Sequence, residues 1–225
     1  MSDEAILGAW LNAEGMQIRR RIRILMLLDA ADYAIIAPIS IARFHAFAYL
    51  ADILSPLYEF GPLTGKIEKR RVGPYYPELQ WEVDRLIGLG LVVPSNLQAI
   101  VDIKRAYIEA ALSLERVRSA PLLDLVHAQD TFIGLRDFFR QLATALSDID
   151  EKDLDEATQS DVTWEAGSKG ALIDYGEWRA KNFSRMSAER IEQIVSADLG
   201  FTEKSLSPAA KVNLYVQYLK RAANG

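Results

Sequence analysis

The densest group of side chains that could bind a charged ligand lies between residues 66 and 76, in the stretch KIEKRRVGPYY. Its cations and tyrosines are Lys66, Lys69, Arg70, Arg71, Tyr75 and Tyr76. Lysine and arginine neutralise phosphates, and tyrosine can add contacts beside them. The stretch therefore predicts a weak, sequence-independent contact with duplex DNA. Binding of the same cations to an acidic face of another protein is the alternative.

A phosphate loop is a second interpretation of this region, because GPLTGKI at residues 61–67 resembles G-x-x-x-x-G-K-[ST]. Three residues separate its glycines instead of four, and Ile67 stands where the motif needs a hydroxyl for magnesium. No helix start follows to share its amide dipoles. The segment is therefore not expected to bind a nucleotide.

Few residues of this chain are candidates for catalytic groups. There is no cysteine, and His45 and His127 each lie in an apolar, helix-like segment, which is typical of a structural histidine. Neither a zinc-protease, a calcium-loop nor a serine-hydrolase motif is present. We therefore predict that the protein is not an enzyme and uses no cofactor or metal.

Acidic residues are concentrated between residues 148 and 165, which hold eight carboxylates and a single base, Lys152. A solvated loop or short helix explains such a run most simply. The alternative is a docking surface for a basic partner, with Asp153, Asp155 and Glu156 as the candidate contacts.

Composition limits the remaining function classes. The chain has 225 residues and a net charge of −5, which argues against binding nucleic acid with its whole surface. No apolar run approaches the ~20 residues needed to cross a bilayer, and the N-terminus lacks a cationic region followed by an apolar one. We expect a cytoplasmic location and no membrane partner.

The elements that must position these residues follow the order helix, helix, loop, helix, hairpin. Helices are predicted at 17–32, at 41–54 after the breaker Pro38 and the N-cap Ser40, and at 77–88. Residues 99–117 also fit a helical heptad, but a β-hairpin with strands near 91–100 and 106–114 is preferred because a strand-like segment precedes them. This order is that of a winged helix-turn-helix.

The third predicted helix has a clear core side. Pro77 suits its first turn, Gly88 and Gly90 end it, and its apolar stripe consists of Leu79, Val83, Leu86 and Ile87. The predicted fold class is mainly α with a small β-hairpin (α+β). It comprises a winged helix-turn-helix domain at 1–118 and a helical C-terminal domain at 119–225. In the second domain, helices are predicted within 120–146, around 175–178 and 188–199, and at 208–221.

The other side of the third helix does not suit a DNA groove. We place Glu78, Glu82 and Asp84 there, with Arg85 as the only cation, and carboxylates repel phosphates. Trp81 lies about 200° from Leu79 at 100° per residue, off the core stripe. It is either an anchor for another protein or a side chain packed under the second domain.

Four stretches resemble the middle component of three-component bacterial ABC-ATPase conflict systems, which include the Lamassu-type antiphage and anti-plasmid systems built around an SMC-like ATPase. The stretches are APISIARFHAFAYLADILSPLY, GKIEKRRVGPYYPELQWEVDRLIGLGLV, VTWEAGSKGALIDYGEWRAKNFS and LSPAAKVNLYVQYLKR. The resemblance implies a non-catalytic subunit between an SMC-like ATPase and an effector such as a nuclease. Its role would be similar to that of the winged-helix accessory subunits of bacterial condensins.

Two functions are consistent with these observations. The preferred hypothesis is an accessory subunit of an antiviral SMC-like ATPase complex, which helps the ATPase engage or sense DNA and control its effector. The alternative is a stand-alone winged-helix DNA-binding transcriptional regulator. The resemblance transfers no catalytic residues.

Overall fold

The computed structural model describes residues 13–60, 66–70, 73–102, 105–161, 164, 172–174, 193 and 206–224. Within them the chain is mainly helical with small antiparallel sheets, in agreement with the predicted α+β class. The helices are α1 (Ala13–Tyr33), α2 (Ile41–Leu54), α3 (Pro77–Gly88), α4 (Arg116–His127), α5 (Asp130–Ser147), α6 (Glu151–Gln159) and α7 (Pro208–Asn224). The strands are β1 (Ile39–Ser40), β2 (Lys66–Arg70), β3 (Gly73–Tyr75), β4 (Val92–Asp102), β5 (Arg105–Leu114) and β6 (Leu172–Asp174). In the described part of the chain, no helix combines the length and the apolarity that crossing a membrane requires.

Helix α2 lies at the centre of the core, as its composition predicts. Its N-cap is Ser40, whose Oγ accepts the backbone N–H of Arg43 at 3.1 Å. Every residue from Phe44 to Leu54 is buried, so the helix meets neighbours on all sides. The prediction of a helix at 41–54 that follows the N-cap Ser40 is confirmed.

Helix α3 and the hairpin that follows it also match the prediction. Leu79, Val83 and Leu86 are buried, and Gly90, just beyond the helix, has a φ of +67°. This left-handed conformation favours glycine and ends the helix. The strands β4 and β5 then pair antiparallel from Val92 opposite Leu114 to the hairpin tip, with an irregularity between Ser95 and Gln98. The helical alternative for residues 99–117 is therefore wrong.

The sheets join segments that are far apart in sequence. Strand β1 pairs with β5, which gives one sheet the order β1-β5-β4. The other sheet has the order β3-β2-β6, so the basic strand β2 lies between its neighbours. Its partner β6 comes from the second half of the chain and pairs Ile173 with Ile67.

The second half is helical where it is described. The predicted helical stretch at 120–146 consists of two helices, because α4 ends at His127 and α5 begins at Asp130. The final helix is confirmed and buries Val212, Tyr215, Val216 and Leu219. The short helices predicted around 175–178 and 188–199 lie outside the described residues, apart from the helical residue Gln193.

One hydrophobic cluster includes buried residues from both halves of the chain, among them Phe47, Phe138 and Tyr215. Helix α1 packs against α5, and α2 packs against both α5 and α6. The predicted domain boundary between residues 118 and 119 falls within α4. The division into domains 1–118 and 119–225 stays a prediction.

Candidate interaction surface

The cations of strand β2 mostly interact within the chain. Lys66 is exposed, but the Nζ of Lys69 donates to the backbone carbonyl of Trp164 and lies 4.9 Å from the centre of the indole ring. Burial lowers the pKa of the Lys69 ammonium. Arg70 donates to the carboxylate of Glu68 at 2.9 and 3.1 Å and stacks on the ring of Tyr75 at 3.3 Å.

These contacts stabilise the second sheet and reduce the positive charge available to a ligand. Arg71, the fourth predicted cation, lies outside the described residues. Of the predicted DNA contacts, Lys66 is therefore the side chain best placed to meet phosphate. The roles predicted for Lys69, Arg70, Arg71 and Tyr75 stay predictions.

Tyr76 requires a correction, because its side chain is buried rather than available to DNA. Its hydroxyl donates to Oδ2 of Asp52 at 3.0 Å. Its backbone N–H donates to Nδ1 of His45 at 3.2 Å. A tyrosine can pack its ring in the core with its hydroxyl hydrogen-bonded, or it can contact a phosphate. The sequence alone does not distinguish these two roles. Tyr75 is half-buried, with its ring centre 4.7 Å from that of His45.

His45 is a structural histidine, as predicted. Because Nδ1 accepts from Tyr76, the proton of the neutral ring is on Nε2, which donates to Oε1 of Gln80 at 3.0 Å. Burial lowers the pKa of His45 to about 4, and the bond to Gln80 opposes this shift only partly. The imidazole is therefore neutral at pH 7 and joins α2 to the first turns of α3.

The acidic residues of α3 do not all face outward, which corrects the sequence interpretation. Glu82 is buried and pairs with Arg21 of α1, while Glu78 pairs with Arg20. Glu82 lies only about 60° from Leu79 at 100° per residue, so it borders the core stripe and needs a cation to compensate its charge. Asp84 is exposed and accepts from Nε2 of Gln80 at 2.8 Å.

Trp81 lies on the open side of α3, where the sequence places it. Its side chain is 73% exposed, so packing under the second domain is wrong. Exposed neighbours on the same side are Arg85, Gly88 and Leu89. The outer side of α3 thus combines an aromatic side chain, an aliphatic one and one cation, together with Asp84.

Residues Glu151–Gln159 of the acidic segment form a short helix. Helix α6 buries Leu154 and Ala157 and packs against α7 and α2. Of the candidate contacts, Glu156 is exposed, Asp153 is partly exposed, and Asp155 lies in the helix. A docking role for these three residues stays a prediction.

Asp161 was counted in the acidic segment, but it is buried. Its Oδ1 accepts from the Tyr49 hydroxyl at 2.6 Å and from the Trp164 backbone N–H at 3.2 Å, and its Oδ2 accepts from the Tyr215 hydroxyl. A buried carboxylate needs such donors. Asp161 therefore connects α2 and α7 and is not part of a solvated surface.

A second set of residues that the sequence reasoning missed lies on α4. Val117, Leu122 and Leu125 are exposed, and so is Pro121. The signal was present in the sequence, because residues 117, 121 and 125 lie on one side of a helix at i, i+4 and i+8. The helix prediction for residues 120–146 depended on the apolar residues that face the core, so it gave these exposed residues no role.

Asp29 forms the main ion-pair cluster near α4. Its carboxylate accepts from Arg116 at 3.2 Å and from Arg140 at 3.0 Å, and His127 Nε2 lies 4.0 Å away. Burial lowers the pKa of His127, while Asp29 acts in the opposite direction. These contacts link α1, α4 and α5 and occupy the cations around His127.

Within the described part of the chain, no group of three or more histidine, aspartate or glutamate side chains is placed to hold a metal ion. A cavity of about 320 Å³ lies beside the start of α2 and is lined by Ser40, Gln98 and Glu109, among others. The Ser40 hydroxyl accepts the N-cap hydrogen bond from the backbone N–H of Arg43.

Comparisons with known proteins do not restrict the function further. No family model matches this chain, and neither does any curated protein or solved structure. The function proposed for the chain therefore depends on its sequence and on the geometry of its surface.

Proposed function

We propose that this chain is a non-catalytic accessory subunit of an SMC-like ABC ATPase complex in antiviral or anti-plasmid defence. In this role the subunit binds the ATPase, helps it engage or sense DNA, and controls an effector such as a nuclease. Its first half acts as a winged helix-turn-helix whose third helix contacts protein rather than reading base pairs.

The exposure of Trp81 in the middle of α3 carries this proposal. A tryptophan that is 73% exposed leaves a large apolar surface in water, and aromatic side chains of this kind are typical anchors of protein interfaces. In a DNA-reading winged helix, this position on the third helix would face the major groove, where arginine, lysine, asparagine and glutamine contact base edges. Trp81 has no hydrogen-bonding capacity suited to that purpose beyond its single indole N–H.

The order of elements supports the winged-helix part of the proposal. Helices α1, α2 and α3 precede a hairpin, and β1 between the first two helices pairs with the second hairpin strand. Strands β2 and β3 form an insertion between α2 and α3. In a winged helix-turn-helix the wing is a hairpin that extends beyond the three-helix core, and we propose this role for β4 and β5.

The charge distribution supports a minor role for direct DNA binding. The net charge is −5, and Lys69 and Arg70 interact with groups of the chain itself. We therefore propose that the subunit alone binds duplex DNA weakly and without sequence preference. Tight DNA engagement then belongs to the assembled complex.

Co-expression with any SMC-like ATPase that is encoded beside this chain tests the proposal, and a gene neighbourhood without one would count against it. A stable complex that survives size-exclusion chromatography is expected, and Trp81→Ala should weaken it. Tyr33→Ala, at an exposed aromatic residue on α1, is the control and should leave the complex intact. If the chain instead forms a homodimer that binds one palindromic DNA site with nanomolar affinity, the regulator alternative replaces this proposal.

A further inference from the structure

We infer that two copies of this chain associate through strand β4, edge to edge, in an antiparallel pair centred on Ile100. The inference goes beyond the proposed function and does not depend on it. The contact surface is residues 98–102 of β4, which we call the distal β4 edge. Its pairing joins the hairpins of the two copies into one four-stranded sheet.

Strand β4 lies at the edge of its sheet. Within the part of the chain that the structure describes, the order β1-β5-β4 gives β4 a neighbour on one side, and no described strand pairs with its other side. The strand is 11 residues long, from Val92 to Asp102. In a strand of this kind, the backbone N–H and C=O groups of alternate residues point away from the neighbour. Such groups are a template for pairing with another strand.

The first part of β4 is protected against such pairing, whereas the distal β4 edge is not. Pro94 lacks a backbone N–H, and the pairing with β5 is irregular between Ser95 and Gln98, where Asn96 has a φ of +52°. Prolines, bulges and charged side chains are the usual protection of an exposed edge. From residue 98 to residue 101 the strand is regular and contains neither a proline nor a charged residue. The distal β4 edge is therefore the part of the strand that can accept another strand.

Apolar side chains are exposed beside this edge. Ala99 is paired with Ile108, so the two side chains lie on one face of the hairpin, and Val101 is on the same face because side chains alternate along a strand. Val101 is 80% exposed and Ile108 is 64% exposed. A single exposed apolar residue needs no explanation, but a contiguous group is typical of an interaction site. A strand added beside β4 would cover part of Val101.

The distal β4 edge is complementary to itself. A two-fold axis at Ile100 runs the second copy of β4 antiparallel to the first. Ile100 then lies opposite its own equivalent, and Ala99 lies opposite Val101 of the second copy. Such aliphatic cross-strand pairs stabilise a sheet. Asp102 is the one ionisable residue of the segment, and it lies opposite Gln98 of the second copy, so like charges do not meet.

The opposite edge of the sheet is less accessible. Strand β1 pairs with β5 at Leu112 and Ala111. The start of α2 lies beside Glu109 and Ala110, across the cavity of about 320 Å³. Strand β4 therefore offers the longer uncovered edge.

The chemistry of the distal β4 edge favours a second copy over other occupants. A helix satisfies its backbone groups internally and cannot pair with those of β4. DNA requires cations for its phosphates, and residues 92–101 contain none. A strand of another protein could pair with the backbone, but a second copy supplies the matching length, direction, apolar face and absence of like charges.

Disulfide cross-linking of the full chain tests the register. The chain has no cysteine, so one introduced cysteine per copy gives an unambiguous result. Directly opposed residues of antiparallel strands have Cα atoms about 4.5–5.5 Å apart, which suits a disulfide, so Ile100→Cys should form a covalent dimer under mild oxidation. Val93→Cys is the control, because Val93 is 41% exposed on the same strand but its two equivalents would be more than about 40 Å apart. Absence of a link for Ile100→Cys, or equal linking of the two variants, overturns the inference.

Sedimentation equilibrium of the full chain measures the association without a cross-link. We expect a monomer–dimer equilibrium with a dissociation constant between about 1 μM and 1 mM. Ala99→Lys, at an exposed residue of the distal β4 edge, should raise that constant about tenfold or more, because a lysine protects an edge against pairing. Val93→Lys lies outside the paired segment and should change it less than about twofold. Circular dichroism should show that both variants fold like the parent. A parent that stays monomeric throughout this range, or an Ala99→Lys variant that dimerises like the parent, overturns the inference.

These outcomes are independent of the test of the proposed function. A monomeric chain that binds an SMC-like ATPase contradicts the inference and supports the proposed function. A dimer that binds no ATPase does the reverse. Dimerisation by itself does not favour the regulator alternative, which also requires tight binding to one palindromic DNA site.

Discussion

Nδ1 of His45 accepts the backbone N–H of Tyr76 at 3.2 Å, so a side chain of α2 fixes the residue that precedes α3. The pKa of His45 is about 4 in the folded chain, against 6.5 for the ordinary group. A base whose pKa is lowered by folding stabilises the fold fully above its unfolded pKa. This contribution decreases as the pH falls from about 6.5 towards 4, because the unfolded chain then binds the extra proton.

We predict that His45→Gln reduces the pH dependence of stability in that window. The parent should lose up to about 3 kcal/mol from this group between pH 7 and pH 4, which is the shift converted at 1.36 kcal/mol per unit. Urea unfolding of both proteins at several pH values measures the difference, and titrating carboxylates cancel in the comparison. Parallel stability curves for parent and variant would contradict the assignment.

Asp161→Asn should destabilise the protein by about 2–4 kcal/mol. The charge that accepts the hydroxyls of Tyr49 and Tyr215 is lost, and an amide cannot accept from all three donors in the same geometry. Chemical denaturation gives the free energy of unfolding. Glu156→Gln, at an exposed carboxylate of the preceding helix, is the control and should change stability by less than about 0.5 kcal/mol. Equal changes in the free energy of unfolding for the two variants would contradict the role assigned to Asp161.

Lys66 and Lys69 should respond differently to neutralisation, although both belong to the predicted DNA-contacting segment. Lys66→Gln should reduce the salt slope of duplex DNA binding by about 0.9, the contribution of one phosphate contact. Lys69→Gln should instead lower stability by about 1–2 kcal/mol, because its ammonium bonds the Trp164 carbonyl and lies over the indole.

Fluorescence anisotropy with a labelled duplex between about 50 and 200 mM salt measures the slopes, and thermal unfolding measures stability. A slope that changes for Lys69→Gln but not for Lys66→Gln would reverse the assignment. In that case the contact between Lys69 and Trp164 opens when DNA binds.

The two ion pairs between α1 and α3 should differ in their contribution. Arg21→Ala leaves the carboxylate of Glu82, which is 7% exposed, without its cation and should cost about 3 kcal/mol. Arg20→Ala affects Glu78, which is 44% exposed, and should cost less than about 1 kcal/mol. Chemical denaturation of both variants at the same pH measures their free energies of unfolding. A larger loss of stability for Arg20→Ala would contradict the burial of Glu82.

Local signals in the sequence predicted α3 and its hairpin to within a few residues. Pro77 and the glycines at 88 and 90 define the ends of the helix, and the spacing of Leu79, Val83 and Leu86 defines its core side. These signals act within a few turns of chain. The exposure of Trp81 follows from the same spacing and was therefore predictable.

Long-range partners were not predictable from the sequence. Tyr49 lies 112 residues from Asp161, and the strand that pairs with β2 comes from residues 172–174. An acidic residue that folding buries has the same type and the same neighbours as one that stays in water. Only the tertiary structure brings the hydroxyl or cation that compensates its charge, which is why Glu82 and Asp161 were misplaced.

The most direct test of the central claim compares the affinity of one pair of proteins for two ligands. Isothermal titration calorimetry of the parent chain and Trp81→Ala against the proposed SMC-like ATPase partner, and against a random-sequence duplex, separates protein contact from DNA contact. We predict that Trp81→Ala binds the ATPase about 30-fold more weakly, equivalent to about 2 kcal/mol, and binds the duplex like the parent. Unchanged affinity for the ATPase together with weaker binding to DNA would contradict the claim that α3 contacts protein.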